Sequence, residues 1–262
     1  MPNYDFRAPR LYLEAPLAAG GEVPLDRDQA NYLVNVLRLK RGDEVLLFNG
    51  RDGEWRGTLA GTGKRAVAVA VGEQVRAQPR PTDLHFLFAP LKHARLDYLV
   101  QKAVEMGASR LQPVTTQHTQ ATRINLARMQ ANTVEAAQQC GILALPEVTE
   151  PVTFQHVVRA DTGRLLVFCD EAADVKDPVA ALEAARPSPS ALLPAEAARA
   201  PVPMAVLIGP EGGFAEKERE ALLKRPNVAR LSLGPRILRA DTAAVAALAL
   251  VQAVLGDWRP AP

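Results

Sequence analysis

MAVLIGPEGGFAEKE (residues 204–218) and, a few positions on, ARLSLGPRILRADTAA (residues 229–244) decide how this chain folds. Val206, Leu207 and Ile208 form a short apolar run that Gly209, Pro210, Gly212 and Gly213 break at once. Leu231 and Leu233 lead in the same way into Gly234 and Pro235. Each part reads as a buried strand entering a glycine turn, with a helix beginning behind it. Two such junctions predict two glycine loops at one end of a parallel sheet, where α/β proteins take their ligands. Without a Cβ, glycine lets backbone N–H and C=O groups come close to whatever binds there.

Upstream the same alternation continues. Residues 84–89 read as an apolar strand, and 97–106 as a helix with Leu99, Val100, Ala103 and Val104 turned inward, stopped by Gly107. A strand at 111–115, a long helix at 123–140 and a strand at 165–169 follow. Strand–helix alternation predicts an α/β domain with a parallel sheet. Within it, 188–203 (SPSALLPAEAARAPVP) is rich in Pro and Ala and reads as a flexible insertion. Residues 74–81, with Pro79 and Pro81, read as a linker, which divides the chain into 1–75 and 76–262.

The first segment predicts a small β barrel. A strand at 45–48 ends in the turn signal Asn49-Gly50, a second strand covers 54–59, and 66–71 carries valine at every other position. A helix over 27–37, capped by Asp26, places Tyr32, Leu33, Val36 and Leu37 on one face.

Composition is that of an ordinary globular protein, 48% hydrophobic and 23% charged. Cys140 and Cys169 have no ligand-like spacing, and His85, His93, His118 and His156 form no metal motif, so no metal is expected. MPNYDFRAPRLYL lacks the basic start and apolar stretch of a secretory signal, and the apolar run 243–255 is too short to cross a bilayer. The expectation is a cytoplasmic protein with reduced cysteines and no membrane association. Residues 1–128 hold 18 Lys and Arg against 13 Asp and Glu, while 129–200 hold 5 against 10. A basic first half points to a polyanionic partner, although solvated surface charge gives a similar count.

The glycine loops match neither a phosphate-binding P-loop nor a dinucleotide fingerprint. Glu211 among the glycines would repel a pyrophosphate, so the loop suits an uncharged or cationic ligand. S-adenosylmethionine (SAM) qualifies, because it joins an adenosine to a sulfonium cation and carries no phosphate.

IGPEGGF together with LSLGPRILRADTA resembles the signature of the bacterial 16S rRNA uracil-N3 methyltransferases, a branch of the SPOUT class. VLRLKRGDEVLLFNG (36–50) and LKHARLDYLVQKAVEMG (91–107) extend the likeness toward the N-terminus. The resemblance implies a PUA-like RNA-binding barrel over 1–75 and a SPOUT methyltransferase domain, knotted as a trefoil, over 76–262. It implies SAM as cofactor, 16S rRNA or the small ribosomal subunit as partner, and a homodimer built on the apolar last helix, 240–258. It assigns Leu207, Ile208, Gly209, Gly212, Gly213, Leu231, Leu233, Gly234, Ile237, Leu238 and Thr242 to the cofactor, and Arg7, Arg10, Arg38, Lys92, Arg95 and Lys102 to RNA. Two segments depart from the family: TTQHTQ (115–120) replaces a Thr/Arg/Ser cluster, and QQCGI (138–142) lacks an arginine at Ile142.

Methylating uracil N3 requires loss of its proton. Glu211 and Asp241 are the motif's candidate bases, and Arg236 and Arg239 its candidates for stabilising the anion. Asp241 stands where the family usually has glutamate. Structural readings stand beside these: Leu207, Ile208 and Leu231 as core, Asp241 or Thr242 as a helix cap, Glu211 as a tie within its own loop, and the lysines and arginines as exposed charges partnered by Asp97 or Glu105. Two other functions remain open, a ribose 2′-O methyltransferase of the same class and a noncatalytic rRNA-binding assembly factor.

Overall fold

The computed structural model describes residues 8–61, 67–92, 94–121, 123–174, 177–187 and 201–258. Arg7 and residues 188–200 of the expected insertion lie outside the described residues. The chain divides into two compact units, Met1–Arg80 with Val134–Leu145, and Pro81–Thr133 with Pro146–Pro262.

In the first unit β1 (Arg10–Tyr12), β2 (Glu22–Pro24), α1 (Arg27–Asn31), β3 (Glu44–Phe48), β4 (Glu54–Leu59) and β5 (Ala68–Arg76) follow in order. The sheet runs β1-β3-β4-β5-β2, antiparallel except for the parallel pair β1 and β3. Period-two alternation sends Val45, Leu47, Leu59, Val69 and Val71 into one core with Leu11, Leu13 and Leu33. Asp26 caps α1 as expected: its side chain accepts from Gln29 N–H at 2.8 Å, and Gln29 Oε1 accepts from Asp26 N–H at 3.0 Å.

Beyond Asn31 the helix widens into a π turn over Tyr32–Val36. The extra residue per turn shifts the phase of the apolar face. Leu33 is therefore fully buried, whereas Val36, expected beside it, is 61% exposed. The linker assignment also needs correction, because residues 74–76 belong to β5. Arg76 Nε and Nη2 donate to Glu54 at 2.6 and 2.8 Å, and Arg10 Nε donates to the same carboxylate at 2.9 Å. Arg10, read from sequence as a displayed cation, is thus buried.

Removing one partner from a buried ionic cluster typically costs about 3–5 kcal/mol. Glu54→Ala is therefore expected to destabilise the first unit by about that much, read as a lower urea midpoint. A loss under about 1 kcal/mol, typical of a surface pair, would contradict the buried cluster.

The second unit contains β6 (Leu84–Phe88), α2 (Ala94–Glu105), β7 (Arg110–Thr115) and the first half of α3 (Leu126–Cys140). It continues with β8 (Glu147–Val148), β9 (Val152–Thr153), α4 (Phe154–Arg159), β10 (Leu165–Cys169), α5 (Pro178–Ala184), β11 (Met204–Ile208), α6 (Glu216–Leu223), β12 (Val228–Leu231) and α7 (Ala240–Val254). The sheet order is β12-β10-β11-β6-β7-β8, with β9 also on β7, and every pair is parallel. The expected α/β class with a parallel sheet is what the chain forms.

Helices cover both faces, so the central strands are continuous apolar runs. Phe86, Phe88, Val167, Val206 and Ile208 join a core with residues of α2 and α7. Leu87, Leu166, Phe168, Ala205 and Leu207 join the other with Phe154, Phe214 and Leu222. The four inward residues expected on α2 are all buried. Helix α3 begins at Leu126 instead of Arg123, and α7 ends at Val254, short of Trp258. Among the described residues no helix is long and apolar enough to cross a membrane.

Candidate active site

The C-terminal ends of β10, β11 and β12 open on a cavity of about 860 Å³, within the range of small-molecule sites. Because β10 lies between β11 and β12, three loops line it: 169–174, 208–214 and 231–240. The third loop was missed from sequence. Its signal was the acidic pair Asp170-Glu171 directly after the apolar run LLVFC, at the ligand-binding end of a parallel strand.

Asp170 fastens these loops together. Its backbone N–H donates to Leu231 C=O at 2.9 Å, which joins the first loop to the last. Its carboxylate, buried, accepts from Arg219 Nε at 3.0 Å, Arg230 Nε at 2.9 Å and Ala172 N–H at 3.1 Å. Burial pushes the Asp170 carboxyl up, but the Ala172 N–H and the two guanidinium groups outweigh it and hold the group below the usual carboxylate range. Arg219 Nη2 also donates to Glu171 Oε1 at 2.7 Å. That carboxylate lies against Gly213, whose φ is +66° and where a Cβ would stand 2.3 Å from Glu171 Oε1. The positive φ favours glycine, and any Cβ would push the Glu171 carboxylate from its place.

The departing segment after β7 supports the middle loop from behind. Glu218 accepts from Gln117 N–H at 2.9 Å and from Ala215 N–H at 3.0 Å. His118 Nδ1 lies 3.2 and 3.1 Å from the carbonyl oxygens of Gly212 and Gly213. Two carbonyls only accept, so Nδ1 carries the proton. Where the family has cations, this chain has a loop brace.

Arg95 reaches the site from α2. Its Nε and Nη2 donate to Asp241 at 2.9 and 3.0 Å, and Nη1 pairs with Glu211. Both candidate bases are thus held by one guanidinium. The Arg95 hydrogen bonds, set against burial, hold the Asp241 carboxyl below its ordinary range. Asp241 keeps part of the structural role read from sequence: Arg239 stands at the N-cap of α7, but Asp241 Oδ1 accepts from Thr242 N–H at 2.9 Å in the first turn, whereas Glu211 ties its loop to α2. Arg236 and Arg239 are exposed on the cavity wall, with no ion pair among the described residues.

Of the expected cofactor residues, Ile208, Gly209, Gly212, Gly213, Leu231, Leu233, Gly234, Ile237 and Leu238 line the cavity. Leu207 points into the core on the α4 and α6 side of the sheet. Thr242 is exposed, and Ala243 takes the lining position one residue on. Of the expected RNA residues, Arg38 and Lys92 are exposed, and Lys102 pairs with Glu105 at 2.6 Å. Asp97 pairs instead with Arg128 at 2.5 Å. Among the described residues no group of three or more His, Cys, Asp and Glu could hold a metal ion.

Burial, with the Asp170 charge behind it, pushes the Cys169 thiol up to about 12. The thiol therefore stays protonated at neutral pH and serves as a small apolar wall. At pH 8 iodoacetamide is expected to label exposed Cys140 faster than half-buried Cys169, as peptide mass mapping would report; equal labelling would refute the raised thiol.

A parallel sheet with both faces covered, a three-loop cavity at its strand ends and a separate curled β unit together define a class. Residues 78–252 match the RNA methyltransferase domain family, and residues 25–71 match the RNA methyltransferase PUA domain. The chain belongs to the RNA methyltransferase family. More particularly, it is 32% identical to ribosomal RNA small subunit methyltransferase E of Synechocystis, over 95% of this chain and 76% of that protein. It is 28% identical to the protein of the same name from Rickettsia conorii, over 93% and 94%. A Legionella pneumophila protein solved with the bound cofactor SAM superposes with a TM-score of 0.79 at 27% identity, covering 96% of this chain and 99% of that one. Small subunit methyltransferase E of Neisseria gonorrhoeae, solved bound to S-adenosyl methionine, shares the fold with a TM-score of 0.76 at 23% identity, over 97% and 100%.

Proposed function

We propose that this protein transfers a methyl group from SAM to N3 of a uridine in 16S rRNA of the small ribosomal subunit. The observation that carries the reading is the three-loop cavity, which offers carboxylates and open loop backbone beside its two arginines and has no phosphate-binding glycine motif. Glu171, Asp174 and Glu211 are exposed on its lining and suit a sulfonium. Gly234, at φ +94°, has nothing within 4 Å of where a Cβ would stand, so its loop backbone is open to a ligand. Ile208 and Leu231, with Leu233 and Leu238, supply apolar walls for an adenine. The residues present thus fit the cofactor, which when bound supplies an electrophilic methyl group.

The chain's own part is to hold the uracil and manage its N3 proton. Arg236 and Arg239 stabilise the developing anion, which lowers the demand on any base. Asp241 and Glu211, tied to Arg95, orient this wall, and the N3 proton leaves to solvent as the uracil ionises. A protonated Cys169 gives no thiolate for attack on a pyrimidine ring carbon, consistent with direct displacement at nitrogen.

The barrel over 1–75 grips rRNA with Arg7 and Arg38 as its phosphate contacts, Lys92 adding a contact from the domain over 76–262. The family's trefoil threading belongs to the same reading. So does a homodimer on α7, where Val245, Ala246 and Ala249 are only half-buried. The place of action is the cytoplasm. Calorimetric titration should give saturable SAM binding that ATP does not compete, and Gly213→Ala should weaken it at least tenfold. Competition by ATP, or no heat with SAM, would remove the reading.

A further inference from the structure

We propose that Ile237 is an apolar wedge that fills the gap a target nucleotide leaves in its RNA stack. The inference rests on the methyltransferase reading and assigns a substrate-opening part to a side chain of the same site. Ile237 is 93% exposed, whereas the other exposed large hydrophobics among the described residues reach at most 61%. It sits in the loop between β12 and α7, on the wall of the cavity. None of the described residues covers it, so the side chain is free to meet a ligand at the cavity wall.

The surroundings say what kind of complex. Arg236 precedes it and Arg239 follows within three positions, both exposed and without an ion pair among the described residues. A bare aliphatic group between free guanidinium groups matches a nucleic acid, whose phosphates take the cations and whose bases take the apolar group. The loop is held at both ends. Leu231 C=O accepts from Asp170 N–H at 2.9 Å, and Asp241 is gripped by Arg95. A wedge needs this stiffness, since a loop that yields does no work on a base stack.

The chemistry also calls for one. Uracil N3 lies on the Watson–Crick edge, and an enzyme acting on such an atom takes the base out of its stack. Proteins that part base steps do so with Phe, Leu, Ile, Met or Pro. Ile237, exposed on the wall of the cavity that would receive the base, is placed to occupy the vacated space.

The test uses full-length Ile237→Ser, Ile237→Leu and Ile237→Phe, substitutions at an exposed site where folding is little affected. Methyl transfer is measured on rRNA folded in magnesium and on the same rRNA unfolded with a chelator. For the serine variant the wedge predicts a loss of about 30-fold in kcat/KM on folded RNA, with SAM affinity within about twofold of the parent. Leucine and phenylalanine should keep at least about a third of the rate, and unfolded RNA, where it is a substrate, should show a loss under about threefold. Equal losses in all three variants overturn the proposal. So does a tenfold loss of SAM affinity in the serine variant, which makes Ile237 a cofactor wall, or a changed oligomeric state in light scattering, which makes it a contact between copies. A parent protein that binds no SAM and labels neither RNA removes the methyltransferase reading itself, a result distinct from these.

Discussion

Asp170→Ala is expected to destabilise the second unit by about 3–5 kcal/mol and to weaken SAM binding more than tenfold. The substitution leaves Arg230, 30% exposed, beside an empty carboxylate site, and leaves Arg219, 17% exposed, with only the solvent-facing partners Glu171 and Glu216. It also loosens Arg219, the residue that holds Glu171 beside Gly213, and so weakens the tie between the first and middle loops. Asp170→Asn keeps the shape and the acceptor for Ala172 N–H but not the charge, and should fall between parent and alanine. Because the folded carboxyl sits below its unfolded value, its contribution to stability is present above the unfolded carboxylate range, near 3.9. That contribution is lost as pH falls through the folded value. Urea midpoints should therefore be flat in this respect above about pH 5 and drop on acidification in the parent, with a shallower drop in Asp170→Asn. A midpoint unchanged in both variants would show that the clamp holds nothing.

The second large effect is expected at Arg95. Arg95→Ala should lower methyl transfer about 100-fold, the order of loss that comes with small misplacement of reacting groups. Arg95 ties α2 to Glu211 in the middle loop and to Asp241 at the start of α7. Arg95→Lys should recover little, because an ammonium cannot reproduce a fork that meets two carboxylates. The pH–rate profile separates positioning from base loss. Asp241, held low, is ionised throughout the neutral range and puts no bend there. Transfer should rise with pH as the uracil itself ionises, with parallel curves for parent and Arg95→Ala. A bend near pH 6–7 that disappears in the variant would instead make one of these carboxylates a tuned base.

Much of this was legible in the chain, and the reason is local. Glycine clusters after apolar runs mark strand ends, so the loops after β11 and β12 were found by their punctuation. Leu99, Val100, Ala103 and Val104 were placed inward by period alone, as the structure has them. What could not be read was long-range. Which strand lies between β11 and β12 is a matter of sheet order, and that order brings Asp170 into the site from about 60 positions before Arg230. Arg95 meets Asp241 across a separation of 146 residues, so its charge read as an RNA contact or as one partnered locally by Asp97 or Glu105. Arg10 read as displayed for the same reason, its partner Glu54 being 44 positions away. Leu207 shows the limit of a motif, since strand alternation turns it to the face opposite its cavity-lining neighbour Ile208.

The most direct measurement gives the purified protein SAM labelled in its methyl group, together with small ribosomal subunits and naked rRNA, and maps the label by nuclease digestion and mass spectrometry. The account predicts one labelled nucleoside, a uridine carrying the methyl on N3 of its base. Label on a ribose oxygen, or none on either RNA, would contradict it.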